Sequence, residues 1–368
     1  MIVVTLTQLV LYFLRLGAVG FGGPVALVNS MRRDLVESRG WLTSDEYENG
    51  LALAAACPGP LAYQLAVYCG YIRFGIIGGL AVAIAFGLAP FILVTIGAWL
   101  YVRYSANWQV RALFYGIAPV VVALIVKACW NLGRRTLRGD RLAWAFALIA
   151  CAITTIVQRE LALMFIIAGL LGIIIFGRRV GGRATAMSVM PLFLFFFKTG
   201  LLVFGSGLVI VPFLKTQVVD EYHWLTNREF LDAVAIGMIS PGPVVITATF
   251  VGYLMAGIAG ALAATVGIFA APVLFTILAT PLLLRYRADP RVAGFVRGVT
   301  VTVVGVLVGT TYLVGRQAIG DWLTALISVA SLAIIIYWKR IPEPAVIAAA
   351  ALVGLLAYQP MRPDWLLR

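Results

Sequence analysis

Apolar residues run along this chain in long unbroken blocks, and polar residues are confined to short intervals between them. In the first half the blocks fall at about residues 2–28, 46–71, 74–102, 112–132, 142–157 and 161–177. They lack the alternation of a half-buried strand, and about 20 apolar residues suffice to cross the hydrocarbon of a bilayer, so they read as membrane helices. The pattern predicts an all-α polytopic membrane protein with about 10–12 hydrophobic segments.

Composition agrees: 62% of the 368 residues are hydrophobic and 12% charged, with a mean hydropathy of +1.01. No stretch is left for a soluble catalytic domain, and no GxxxxGK followed by Ser or Thr is present, which argues against an ATP-driven pump. The net charge of +13 comes from short Arg and Lys clusters between apolar runs. That placement fits membrane topology and lipid anchoring rather than nucleic acid. Cys57, Cys69, Cys129 and Cys151 form no CxxC pair and His223 is the only histidine, so no metal, cofactor or disulfide framework is expected. The first segment lacks a basic leader and a small-x-small cleavage site, and is read as part of the mature protein.

The chain repeats itself. At an offset of 183, Phe13, Gly17, Phe21, Gly22, Trp41, Leu42, Thr43 and Glu46 return as Phe196, Gly200, Phe204, Gly205, Trp224, Leu225, Thr226 and Glu229, and Pro58-Gly59-Pro60 returns as Pro241-Gly242-Pro243. At an offset of 182, Gly70, Tyr71, Gly75, Gly78 and Pro90 return as Gly252, Tyr253, Gly257, Gly260 and Pro272. Two repeats are expected, 1–184 and 185–368, of the kind that packs around a transport pathway. Thr43-x-x-Glu46 and Thr226-x-x-Glu229 match capping boxes. Arginines cluster at 134, 135, 138 and 141 in the first repeat, but one crossing earlier, at 285, 287, 291 and 297, in the second. On the positive-inside rule the repeats then face opposite ways, which needs an odd number of crossings and one re-entrant segment in each repeat, the first or second.

Candidate chemistry lies where the helices are interrupted. Gly20-Phe21-Gly22-Gly23-Pro24 and Phe204-Gly205-Ser206-Gly207 sit inside apolar runs. Glycine costs a helix roughly 1 kcal/mol and proline about 3, so these runs should unwind. Unwound backbone at membrane depth must line a cavity or be buried in protein, and successive free N–H groups make an anion nest. Close helix packing through small residues is the plainer alternative. Pro58-Gly59-Pro60 and Pro241-Gly242-Pro243 are places where a helix restarts, its positive end aimed inward at an oxyanion or carboxylate. Gln64, Thr247 and Thr249 follow as neutral donors, or as ordinary helix contacts. Arg15 and Lys198 occupy matching places seven residues before the central glycines, about 10 Å along a helix. They are attractors for an anion, or cations that snorkel to the interface. The acids Glu46, Glu48, Glu160, Glu229 and Asp232 fall near predicted helix ends and read as caps or surface groups.

These residues resemble the chromate ion transporter (CHR) family, whose long members carry GFGGP and PGP in one half and FGSG and PGP in the other. Here they read Gly20 to Pro24, Pro58 to Pro60, Phe204 to Gly207 and Pro241 to Pro243, with Trp41-Leu42, Gly70-Tyr71, Val211-Pro212, Trp224-Leu225 and Gly252-Tyr253 in the same order. The chain departs from the family pattern at Leu27, where a histidine is common, and in Ala54-Ala55-Ala56-Cys57, where a glutamine often stands. The resemblance implies a secondary transporter exporting chromate, or a similar tetrahedral dianion such as sulfate, across an inner membrane and conferring chromate resistance. Membrane lipid, a coupling proton in an antiport cycle and a second copy in a homodimer are expected partners; no carboxylate for the proton stands out. A transporter or channel for another small anion or an amino-acid-like solute is the alternative, and an intramembrane enzyme or assembly subunit the third.

Overall fold

The computed structural model describes residues 4–21, 23–137, 141–157, 189–205, 210–286, 301, 304–305, 308–309, 311–338 and 341–361. The expected segment 161–177, the seam near residue 185, and Arg138, Glu160, Arg287, Arg291 and Arg297 lie outside them. Two compact units are present, one of residues 1–97, 187–207 and 240–296, the other of residues 98–186, 208–239 and 297–368. Each draws on both sequence repeats.

In the first unit, α1 (Leu6–Val19) opens on a Thr5/Gln8 capping box and ends at Gly20. The chain resumes as α2 (Gly23–Met31) and a π-helical turn, Arg32–Ser38. Tyr12 Oη donates to Asp34 Oδ2 at 3.2 Å, across 22 residues that would span more than 30 Å as one straight helix. This first segment therefore folds back on itself.

α3 (Ser44–Ala56) leads to the Pro-Gly-Pro turn and to α4 (Leu61–Tyr104), which bends at Phe74 and Gly75. Arg73 grips Glu46 with two guanidinium hydrogen bonds, 3.1 and 2.5 Å, and donates to Trp41 O. Deeper in, Leu53, Cys57 and Tyr68 pack together. Residues 44–56 and 61–73 are thus the antiparallel arms of a second hairpin, with Pro58-Gly59-Pro60 at its tip. Thirteen residues of helix reach about 20 Å, short of the roughly 30 Å hydrocarbon layer, so the tip is read as lying within the membrane.

Parity had called for one re-entrant segment per repeat. In the first repeat two segments fold back, which would leave four crossings, an even number, so parity does not support opposite orientation of the repeats and only the arginine placement does.

Past Gly75, α4 turns back along its own first arm. A Cβ on Gly70 would strike the Gly78 carbonyl and one on Gly78 the Gly70 carbonyl, a contact only glycine permits. α10 (Thr247–Tyr286) repeats the construction, with Gly252 and Gly260 in contact and a break at Ala256 and Gly257. The two bends share their geometry, φ 61° and ψ −151° at Gly75, φ 59° and ψ −146° at Gly257. α7 (Val189–Leu202) packs on α10, its Gly200 against the Ile268 backbone.

The second unit is built on α5 (Trp108–Thr136). Gly116 of α5 and Gly354 of α12 (Glu343–Met361) let the two backbones touch. Lys127 pairs with Glu343 at 2.8 Å, and Tyr115 donates to Asp321, the cap of α11 (Trp322–Tyr337). α6 (Arg141–Val157) lies in this unit, with α8 (Ile210–Leu214), a π-helical turn Lys215–Glu221 and α9 (Asn227–Ile239). The second π-turn matches the first at the 183 offset. After it His223 takes the left-handed conformation, φ 53°, that Gly40 takes in the first repeat.

Among the described residues, Leu61–Tyr104, Trp108–Asn131 and Val244–Pro281 are long and apolar enough to cross a membrane. Beyond its bend α4 exposes Ile76, Ile77, Ile84 and Leu88, the face a lipid-embedded helix presents.

Candidate functional site

The interruptions meet in the first unit, and they meet crosswise. Gly59 N–H donates to Val203 O, and Gly59-Pro60 (β1) pairs in parallel with Phe204-Gly205 (β2). Gly242 N–H donates to Gly20 O at 3.0 Å. Val203 stands where Gly20 stands at the 183 offset, so each Pro-Gly-Pro turn binds the break of the other repeat.

The proline partners cross over too. A Cβ on Gly59 would strike Pro272 and Gln64, and one on Gly242 would lie 3.1 Å from Pro90 Cγ. Both glycines have positive φ, 142° and 89°, a region that side-chain-bearing residues rarely enter. Pro60, Pro241 and Pro243 are buried, and Pro58 is half-buried. Tyr63 stacks between Phe269 (centroids 4.3 Å) and Phe86 (5.9 Å), and its hydroxyl donates to Ala83 O. The turns are fixed by packing as well as by hydrogen bonds.

Those bonds change the expected chemistry. The amides of Gly59 and Gly242 serve the cross-pairing, so the nearest unspent donors belong to the first turns of the restarted helices, whose leading N–H groups have no intrahelical partner. In the first repeat the α-helix restarts at Leu61, directly after Pro60. In the second a 3₁₀ turn, Val244–Ile246, comes first, and Ile246 N–H returns to Pro243 O.

Gln64 is fully buried; its Nε2 braces the first turn through Pro58 O at 2.7 Å, while its Oε1 has no partner among the described residues. One helical turn further, the buried Tyr68 hydroxyl also lacks one. Tyr68 was missed in the sequence, where it reads as one more aromatic core residue. Its position, four residues from Gln64 and so on the same helix face, was the available signal.

Thr247 and Thr249 are fully buried, but their hydroxyl hydrogens are committed. Thr247 donates to Val244 O at 2.8 Å. Thr249 donates to Thr265 Oγ1 at 2.6 Å, since Thr265 itself donates to Ala261 O. Arg15 and Lys198 lie on exposed faces of their helices, a placement that suits the lipid interface. Phe21 is also exposed. Gly23 and Pro24 open α2. Gly22, Ser206 and Gly207 lie outside the described residues.

Both predicted capping boxes form. Thr43 and Thr226 exchange bonds of 2.8 and 3.2 Å with Glu46 and Glu229. Partial burial pushes the Glu46 carboxyl up, but the Thr43 amide and the Arg73 guanidinium outweigh it and hold the group below the usual carboxylate range. Asp232 corrects the surface reading of the acids. It is buried in the second unit, where the Tyr101 hydroxyl donates to its Oδ2 at 2.7 Å and Arg228 Nε lies 4.0 Å away.

Comparison with known proteins agrees with the duplicated pattern. The family described as "Chromate transporter" matches residues 7–173 and again 190–355. The chain is 42% identical to the chromate transport protein of Cupriavidus metallidurans, over 96% of this chain and 94% of that one. It is 39% identical to the probable chromate transport protein of Synechococcus elongatus, over 96% and 95%, and 30% identical to the chromate transport protein of Pseudomonas aeruginosa, over 95% and 92%. No solved structure matches the chain.

Proposed function

The chain belongs to the chromate transporter family, a family of membrane transport proteins, and we propose that it moves chromate, or a tetrahedral dianion of the same kind such as sulfate, outward across the inner membrane. The observation that carries this reading is the crosswise pairing of the interrupted helices. Four stretches of non-helical backbone form two pairs, each joining the two repeats beside a helix N-terminus. Irregular backbone of this kind is tolerated at membrane depth where it is buried in protein or lines a polar cavity, and helix starts favour anions without a full positive charge. The dianion is bound by the first-turn amides after Pro60 and Pro243. Gln64 holds the shape of the first turn.

An inside-negative potential drives each negative charge outward with about 2.3 kcal/mol per 100 mV, so a dianion gains roughly 4.6 kcal/mol, or more than three decades of gradient. The potential alone thus favours export, and resistance of the cell to chromate follows from it.

The test is chromate and sulfate flux in proteoliposomes for Gly59→Ala and Gly242→Ala. Each methyl group meets a helix proline of the other repeat, Pro272 or Pro90, and forces a positive-φ residue out of shape, so both variants should insert and lose most of their flux. Undiminished flux in both would remove the site from these turns.

A further inference from the structure

Asp232 is buried in α9, yet at the equivalent position the first repeat carries Asn49. The duplicated arm is therefore formed in the first repeat with a neutral amide at this place. A carboxylate there is costly unless it is compensated, and the groups close enough to act on it are Tyr101, Arg228 and Glu229. Tyr101 supplies one hydrogen bond at 2.7 Å, Arg228 stands off at 4.0 Å, and Glu229 opposes the charge. An ionised carboxylate has about four acceptor sites, so this surrounding compensates the charge only in part. The Arg228 side chain is 29% exposed, against 4% for Asp232, and gives the carboxyl a polar way out. Seven residues along the same helix the chain reaches Ile239 and then the Pro241-Gly242-Pro243 turn.

We infer that Asp232 is the proton-carrying group of the transport cycle, the carboxyl that binds a proton from outside and releases it inside as the oxyanion leaves. The inference rests on the oxyanion-transport reading above. In it, Tyr101 and Arg228 are positioning residues that set when the proton is released.

Proteoliposomes containing chromate and a trapped pH dye separate the two ideas. Equilibrium chromate exchange needs no net proton movement, whereas accumulation driven by a pH gradient does. Asp232→Asn should lose both the gradient-driven accumulation and the chromate-linked dye signal while exchange continues; Asp232→Glu should restore coupling. Tyr101→Phe removes the hydrogen bond donated to the charged form and so should move the pH midpoint of transport upward by about one unit or more.

Gradient-driven accumulation and a dye signal at wild-type levels in Asp232→Asn would overturn the inference. So would an unmoved midpoint in Tyr101→Phe, which also decides the matter if Asp232→Asn fails to fold. Absence of chromate and sulfate exchange in the wild-type protein would instead defeat the transport reading itself.

Discussion

In the first repeat the arm that follows Trp41-Leu42-Thr43 carries Glu46 and Asn49; in the second the arm after Trp224-Leu225-Thr226 carries Glu229 and Asp232. The backbones correspond closely: Trp41 N–H and Trp224 N–H reach Leu35 O and Val218 O at the same 2.8 Å. The charges do not. Glu46 is gripped by Arg73 at the mouth of its hairpin, whereas Met255 stands at the position equivalent to Arg73 and the nearby guanidinium, Arg228, comes from the arm itself. One copy uses its ion pair to close a hairpin, while the other keeps an acid inside. Glycine and proline fix the duplicated frame, and single polar differences upon that frame give the repeats separate tasks.

If the frame is shared, damage to it should be equal in the two copies. Gly78→Val and Gly260→Val each drive a branched side chain into a backbone carbonyl and should cost about 3 kcal/mol or more, seen as lost thermal stability in detergent. Tolerance in one copy would show that the hairpins are not equivalent.

The mouth pair is peculiar to the first repeat. Arg73→Met, which copies the second repeat, should cost about 2 kcal/mol, as should Glu46→Gln. The double variant should cost little more than either, and full additivity would show that the two residues do not act as a pair.

The same pair sets an acid limit. The Glu46 carboxyl lies below its usual range when folded, so its contribution is complete above the unfolded value, near pH 4.3, and fades as the pH falls through the lower folded value. Melting of the wild type should therefore drop more steeply with acidification below about pH 4 than melting of Glu46→Gln; parallel curves would contradict the assignment. The smallest effect belongs to Thr249→Val, about 1 kcal/mol from one lost hydrogen bond, with flux retained.

Much of this was legible in the sequence because it is local. The capping boxes at Thr43 and Thr226, and the breaks at the glycine and proline clusters, follow from residues within a few positions of each other. What was hidden depends on distance along the chain. Tyr101 meets Asp232 across 131 residues, so an acid near a helix end read as a cap. Re-entry was expected of the first segment or the second, and the sequence did not decide between them because Asp34, the partner that reveals the return of the first, lies outside the apolar block. The crosswise pairing of Gly59 with Val203 and Gly242 with Gly20 was invisible for the same reason. Repetition shows which residues correspond, and packing decides which of them touch.

Where the dianion binds is seen most plainly in a density map of the membrane-embedded protein in saturating chromate. A tetrahedral feature is expected beside the paired turns, within hydrogen-bonding reach of the helix starts after Pro60 and Pro243. Chromate bound elsewhere, with those turns sealed in apolar side chains, would contradict this assignment.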